Sequence, residues 1–480
     1  MSIPFIHVNR SSSTPLPEQV ANQIEAAIRT ERLRSGQSLP TVRELAEMLQ
    51  VSRETVQKAY RLLQQQEWIQ SSPRMGTTVL GHIANQKEMS VPFPPSKEKK
   101  ARLSEMRANL SRTGMFPISG LSLPPDPSVL QIMKEVAPQA VEAALCEGED
   151  GPFGLLALRS HIQGLLMARA IYSRMEQICI VNGTQQAISL IARWLKSNKK
   201  TTVAVPQMCY IPIKEAFVEA GLKVIPIRHQ MSGMDVDHLQ EVLETEKVDV
   251  LFCMPNGHYP TGGSWSLEEK ERVLDLAITH GLVLLEDEYF GELYLTEIPP
   301  MTLKALSHGR EEEITIFYFC SFTNLFHLNL RVGYVVVPQT LIEVFEKAKY
   351  LLDRTTSLVG QQLLLYYWKQ VDVAEQLALR RQHIRNALAE TITSLNHWLP
   401  KAYSFAPPQM GTCMWVYAPS TFDGWDFFER CLQENVFVMP DFAFSVDQVL
   451  SGFQVNYSYT SATMMDEAVK RASRILSTMK

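Results

Sequence analysis

The sequence predicts a multidomain α and α/β protein: a small helical unit, then a larger α/β domain, joined by a polar connection. Three observations carry this prediction. Residues 15–80 show helical apolar spacing that gives way to short alternating runs around a Pro/Gly turn. From about residue 115 to the C-terminus, apolar strand-like runs alternate with helical stretches, the pattern of a mostly parallel sheet covered by helices. Between them, Pro92, Pro94 and Pro95 precede Lys97-Glu98-Lys99-Lys100 and a polar stretch of little periodicity. A chain of 480 residues exceeds one ordinary core. The expected divisions are 10–80, a linker over 81–114, and 115–480, the last splitting into a large part (115–365) and a smaller C-terminal α+β part (366–480).

Each element has a local cause. Leu16, Val20, Ile24, Ala27 and Ile28 recur at helical spacing over Pro15–Arg29. Gly36 breaks the chain. Thr41, with Glu44 three residues on, forms a capping-box pattern that opens a helix over Val42–Leu49. Ser52 can cap the next helix, Arg53 to Glu67, and Trp68–Val79 alternates as a hairpin would. Beyond the linker, strands are expected over Ile178–Val181, Thr202–Val205, Val248–Cys253, Leu282–Leu285, Ile314–Phe319 and Val332–Val337.

Two short helices, a tight turn and a hairpin are the parts of a winged helix-turn-helix, whose second helix reads the DNA major groove. The run Leu39-Pro40-Thr41-Val42-Arg43 through Ser52-Arg53-Glu54-Thr55-Val56 to Ala59-Tyr60 resembles the GntR type of this module. The resemblance implies that double-stranded DNA is the partner. Arg43 would grip a phosphate or guanine edge, and Ser52, Arg53 and Thr55 would open the recognition helix, with Arg53 placed for bidentate contact to guanine. Arg74 and Gly76 would form the wing tip. Ser52 also reads as a plain helix cap, and the two roles are compatible.

The segment Phe319-Cys320-Ser321-Phe322-Thr323-Asn324, followed by Arg331-Val332-Gly333-Tyr334, resembles the cofactor-lysine segment of pyridoxal-phosphate enzymes of the aminotransferase fold (fold type I). Those enzymes read Ser-x-Ser/Thr-Lys, with an arginine seven residues on; here Asn324 occupies the lysine position. Other segments resemble the same fold. Thr184 and Gln185, after Asn182-Gly183, would cradle a phosphate at a helix N-terminus. Tyr210 would stack on a ring. Pro255–Gly262 would form the turn beneath the cofactor. Asp287 and Tyr289, in a Glu-Asp-x-Tyr run that follows a strand, would meet the ring nitrogen and hydroxyl. Ser321 and Arg331 would complete the phosphate cup.

Taken together, the chain resembles the MocR (GabR-like) transcription regulators over essentially its whole length. That resemblance implies a head-to-tail homodimer whose large domain senses a vitamin B6 cofactor. Two departures weigh against transamination. An asparagine amide cannot condense with an aldehyde as a lysine amine does. Gln454, in Gly452–Ser458, stands in the slot of the substrate-carboxylate arginine and offers no charge-assisted fork. The pocket then holds pyridoxal phosphate non-covalently, alone or with an amine, or takes another anionic or phosphorylated effector, or is only structural. Two rivals to a degenerate, effector-sensing regulator stay open: an active aminotransferase fused to a DNA-binding domain, and a ligand-independent dimeric DNA-binding scaffold.

Composition bounds these readings. Hydrophobic residues make up 45% and charged residues 20%, as in water-soluble globular proteins. The longest apolar runs, such as Leu363–Trp368, are too short to cross a bilayer, and Met1–Arg10 lacks signal-peptide character. Seven scattered cysteines, with no Cys-x-x-Cys, suggest neither disulfides nor a metal site, so a reducing cytoplasm is expected. The chain carries a net charge of -5, yet residues 1–80 hold nine Lys/Arg against seven Asp/Glu. That local excess suits DNA.

Overall fold

A computed structural model describes residues 6, 8, 15–29, 33, 37–65, 68–72, 76–79, 114–120, 126–324, 330–445 and 450–479. Arg74 and the expected linker through residue 113 lie outside the described residues. The chain divides into two compact units, Met1–Phe93 and Pro94–Lys480.

In the first unit, helices α1 (Leu16–Arg29), α2 (Val42–Leu49) and α3 (Arg53–Gln65) precede a hairpin of β1 (Ile69–Ser72) and β2 (Gly76–Val79). Val20, Ile24, Leu45, Val56, Ala59 and Leu63 are fully buried against one another. Burying a side chain such as Leu63 contributes about 1.5–3 kcal/mol. The capping box forms as the spacing predicts: Thr41 Oγ1 accepts from the Glu44 backbone, and Glu44 Oε2 accepts from the Thr41 backbone at 2.8 Å. Gln50 ends α2 in the left-handed region, φ 51, which turns the chain sharply toward α3. The hairpin gains a third strand-like segment. Leu39 N donates to Thr77 O and Val79 N donates to Gln37 O, so residues 37–39 pair along β2.

The second unit is built on a seven-stranded sheet. Its strands are β3 (Ile178–Val181), β4 (Thr202–Pro206), β5 (Lys223–Ile227), β6 (Val250–Cys253), β7 (Val283–Glu288), β8 (Thr315–Ser321) and β9 (Gly333–Val336). Their order across the sheet is β3-β9-β8-β7-β6-β4-β5. All neighbours are parallel except β9, which runs antiparallel to both β8 and β3. The strands inside the edge strand β5 are buried on both faces, as a helix-covered parallel sheet requires. Strand β7 runs three residues past the expected Leu285, so Glu286, Asp287 and Glu288 lie within the sheet and do not follow it.

A smaller sheet of β10 (Ser404–Phe405), β11 (Cys413–Tyr417), β12 (Met439–Pro440) and β13 (Gly452–Asn456) is antiparallel throughout, in the order β10-β11-β13-β12. Phe116–Pro117, expected with the large part, pairs in parallel with Val436–Phe437. Phe116 N donates to Asn435 O and Ile118 N to Phe437 O, and Asn456 N donates to Ile118 O. These bonds tie the first described residues of the unit to its C-terminal part, because buried backbone groups need such partners.

Candidate functional site

On the first unit, three of the predicted DNA-contacting residues, Ser52, Arg53 and Thr55, lie at the start of α3. Ser52 caps that helix: Thr55 N donates to Ser52 Oγ at 3.1 Å, and the two hydroxyls lie 2.8 Å apart. Arg53 is exposed and has no ion-pair partner among the described residues. Arg43 is exposed on α2 and pairs with Glu47 at 3.1 Å, a surface pair that a phosphate can displace at small cost. Gly76 opens β2, opposite Ser72. Val56, Ala59 and Leu63 fix the inner face of α3, so Arg53, Gln57, Lys58 and Arg61 face outward.

On the second unit, a cavity of 420 Å³ brings together Thr184, Gln185, Tyr210, Asp287, Tyr289, Ser321 and Arg331. Seven of the nine residues predicted for the pocket therefore share one space. Tyr259 and Thr323 line it as well, with Pro212, Ile213 and Met254. The first two belong to motifs visible in the sequence; the apolar three carry no signal that separates wall from core.

Local backbone geometry places each group. Gly183 precedes the helix Thr184–Ser197 with φ 80 and ψ 174, a conformation essentially restricted to glycine. A Cβ there would stand 2.9 Å from Arg331 Nη2. Gly333 sits between Ser321 and Val181 in register, and a Cβ on it would meet Gly183 Cα and Ser321 Cα at 3.2 and 3.3 Å. The missing side chains let the guanidinium, the helix start and the Ser321 turn converge. Arg331 Nη2 donates to Asn182 O at 2.7 Å, and the Ser321 and Thr323 hydroxyls are bonded at 2.8 Å. Asn324 closes the 3₁₀ turn Phe322–Asn324 that follows β8.

Strand alternation decides the fate of three consecutive acids. Glu286 and Glu288 point to one face of β7. Glu286 accepts from Leu303 N and Lys304 N, and Glu288 accepts from Arg169 Nη1 at 3.0 Å and Asn256 Nδ2 at 2.8 Å. Asp287 points to the other face, into the cavity. Its Oδ1 is buried with no hydrogen-bond partner among the described residues. Burial, and then the neighbouring Glu288, push its carboxyl well above the usual carboxylate range. Such a group accepts a cationic N–H readily, since the ligand's charge replaces missing solvation.

Gln454 is not on the cavity wall. It is fully buried in β13 opposite Trp415, its side chain beside the Cys413 thiol. No lysine is among the described residues lining the cavity. Lys349 is buried elsewhere, bonded to Asp353 and Thr356. The lining can hold an anion at Arg331, Thr184, Ser321 and Thr323, a protonated nitrogen at Asp287, and a flat ring among Tyr210, Tyr259 and Tyr289. The residues present fit pyridoxal phosphate on this ground. Among the described residues, no group of three or more His, Cys, Asp or Glu could hold a metal ion. No described helix is long and apolar enough to cross a membrane.

Comparison with known proteins agrees with this architecture. Residues 16–79 match the bacterial regulatory proteins of the gntR family, and residues 128–471 match aminotransferase class I and II. The uncharacterized HTH-type transcriptional regulator YisV of Bacillus subtilis (strain 168) is 23% identical over 97% of this chain and 96% of its own. The 2-aminoadipate transaminase of Thermus thermophilus is 27% identical over 65% of this chain and 78% of its own. The crystal structure of LysN, the alpha-aminoadipate aminotransferase of Thermus thermophilus complexed with N-(5'-phosphopyridoxyl)-L-leucine, superposes with a TM-score of 0.70 at 24% identity. The match covers 80% of this chain and 97% of LysN. The chain belongs to the aminotransferase class I and II family and carries a gntR-family winged helix ahead of that domain.

Proposed function

We propose that the chain is a sequence-specific, homodimeric transcription regulator of the cytoplasm, whose aminotransferase-like unit is a receptor and not a catalyst. The winged helix and the full-length similarity to HTH-type transcriptional regulators support the regulatory role. One observation carries the receptor reading: Asn324 ends the turn after β8 where the family resemblance expects the cofactor-anchoring lysine, and no lysine is among the described cavity residues. An amide nitrogen, its lone pair delocalised, forms no covalent link to an aldehyde.

Pyridoxal phosphate supplies, when bound, an aldehyde on a phosphorylated pyridine. In this reading Arg331, Thr184, Ser321 and Thr323 hold its phosphate by charge-assisted hydrogen bonds. Asp287 accepts the ring N–H, and Tyr210 and Tyr289 flank the ring. Arg331 is the single guanidinium among the described lining residues, and Gln454 is neutral and off the wall. A second anionic group on the ligand therefore lacks a cationic partner there. Ligand binding shifts the population between two arrangements of the paired winged helices and so changes operator affinity.

The test is titration of the purified protein with pyridoxal phosphate, followed by borohydride, intact mass measurement and DNA-binding anisotropy. Saturable, reversible binding with no mass increase, together with an altered operator affinity, is expected. A borohydride-fixed adduct on a lysine, or steady conversion of an amino acid to its keto acid, overturns the receptor reading. Unchanged operator affinity at saturation favours the scaffold. Asn324→Lys is expected to create fixable attachment without efficient turnover.

A further inference from the structure

The packing of α3 fixes which of its side chains can meet DNA. Val56, Ala59, Tyr60 and Leu63 are buried, and the Tyr60 hydroxyl donates to the Pro40 carbonyl at 2.7 Å. The helix is therefore held in rotation against the rest of its unit. Over its first two turns Arg53, Glu54, Gln57 and Lys58 are left exposed.

These four residues form two rows of i,i+4 neighbours. In one row Lys58 Nζ lies 3.0 Å from Glu54 Oε1, so cation and carboxylate occupy each other. The other row is Arg53 and Gln57, and among the described residues neither side chain has a hydrogen bond or an ion pair. The Ser52 and Thr55 hydroxyls, the remaining polar groups at this end, lie 2.8 Å apart and bond to one another. Among the described residues of these turns, Gln57 alone thus offers both a donor and an acceptor with no partner. That combination selects a base. In the major groove adenine presents its N7 acceptor beside its N6 amino donor, which one amide meets with two bonds, whereas guanine presents two acceptors and suits a guanidinium.

We propose that Gln57 is a base-reading residue that selects adenine in the operator, one helical turn behind the guanine contact of Arg53. This rests on the reading of the chain as a sequence-specific regulator and adds to it a second base and its distance. Four residues of α-helix advance about 6 Å, and successive base pairs about 3.4 Å. The adenine accordingly lies one or two base steps from the guanine, the number set by the tilt of the helix in the groove.

The experiment selects binding sites for the full-length protein from a randomised duplex pool at fixed salt, then repeats the selection with Gln57→Ala, Gln57→Arg and Arg53→Ala. All three replacements are good helix formers at exposed positions, so the unit stays folded. The native protein is expected to enrich half-sites that carry a guanine and an adenine one or two steps apart. In duplexes that vary only the adenine, it should favour that base by about 10-fold. Gln57→Ala should level this preference and keep the one for guanine, and Arg53→Ala should do the reverse. Gln57→Arg, which offers donors only, should no longer favour adenine. Four results overturn the role of Gln57 while the regulator stands: a consensus unchanged by Gln57→Ala, adenine still favoured by Gln57→Arg, a base other than adenine at the position that responds to Gln57, or a spacing of three or more steps. No enriched site for the native protein overturns sequence-specific binding itself, and this inference with it.

Discussion

Arg331 Nη2 donates to the Asn182 carbonyl at 2.7 Å, across a gap that stays open only because residue 183 has no side chain. The contact joins the strand before the phosphate-cradle helix to the segment preceding β9.

Gly183→Ala is therefore expected to act twice. The positive φ of 80 with ψ 174 costs an alanine about 1–3 kcal/mol, and the new Cβ pushes the guanidinium out of the cavity. Denaturant unfolding should show the stability loss, and fluorescence titration with pyridoxal phosphate should show weaker binding. Unchanged ligand affinity in a folded variant would remove Arg331 from the phosphate site.

Arg53→Ala should leave the winged-helix unit folded, because the side chain is exposed and its neighbours Val56 and Ala59 carry the packing. Operator binding at fixed salt is expected to fall ~10-fold or more, while binding to unrelated DNA changes much less. An equal loss on both DNAs would mark Arg53 as a phosphate contact.

The Arg169–Glu288 pair is buried, with side-chain exposures of 3% and 0%; Glu288 also accepts from Asn256, and Arg169 also donates to the Gly291 and Pro300 carbonyls. Glu288→Gln strands the guanidinium, so a loss of about 3–5 kcal/mol is expected. The double change Arg169→Met with Glu288→Leu should recover much of it. Thermal unfolding of the three variants compares these outcomes, and a double variant worse than the single one argues that shape, not charge, dominates.

Asp441 gives a pH signature. Burial, with a small push from Asp423, raises its carboxyl from 3.8 to about 7. Between those values the native state holds a proton that the unfolded chain has lost. Stability therefore falls as pH rises through the window, by at most about 4 kcal/mol from this group. Asp441→Asn keeps the acceptor for Phe442 N, which lies 2.7 Å from Oδ1, and removes the slope. Its stability advantage over the native protein should grow from pH 5 to pH 8 in urea titrations; a constant difference would place the titration elsewhere.

Much of this was legible beforehand because local chemistry and tertiary demand agree. Thr41 and Glu44 cap one another within four residues, and β3 has the predicted limits Ile178–Val181. The expected strand Leu282–Leu285 stops short of β7 because the apolar run ends there and the Glu-Asp-x-Tyr run reads as following it. The burial of Glu286 and Glu288 depends on Arg169, Asn256 and the Leu303 and Lys304 amides, partners that no local window contains. Pocket residues in recognisable motifs came together, whereas Ile213 and Met254 could not be told from core. Gln454 illustrates the converse. Its slot in a motif suggested a ligand contact, but it lies buried in β13 opposite Trp415 and is not among the described residues that line the cavity.

The pairing of Phe116–Pro117 with Val436–Phe437 has a mechanical corollary. Residues 116–118 are moored by backbone hydrogen bonds to the C-terminal part of their unit. Any swing of that region, such as closure upon a bound molecule, drags the mooring point with it.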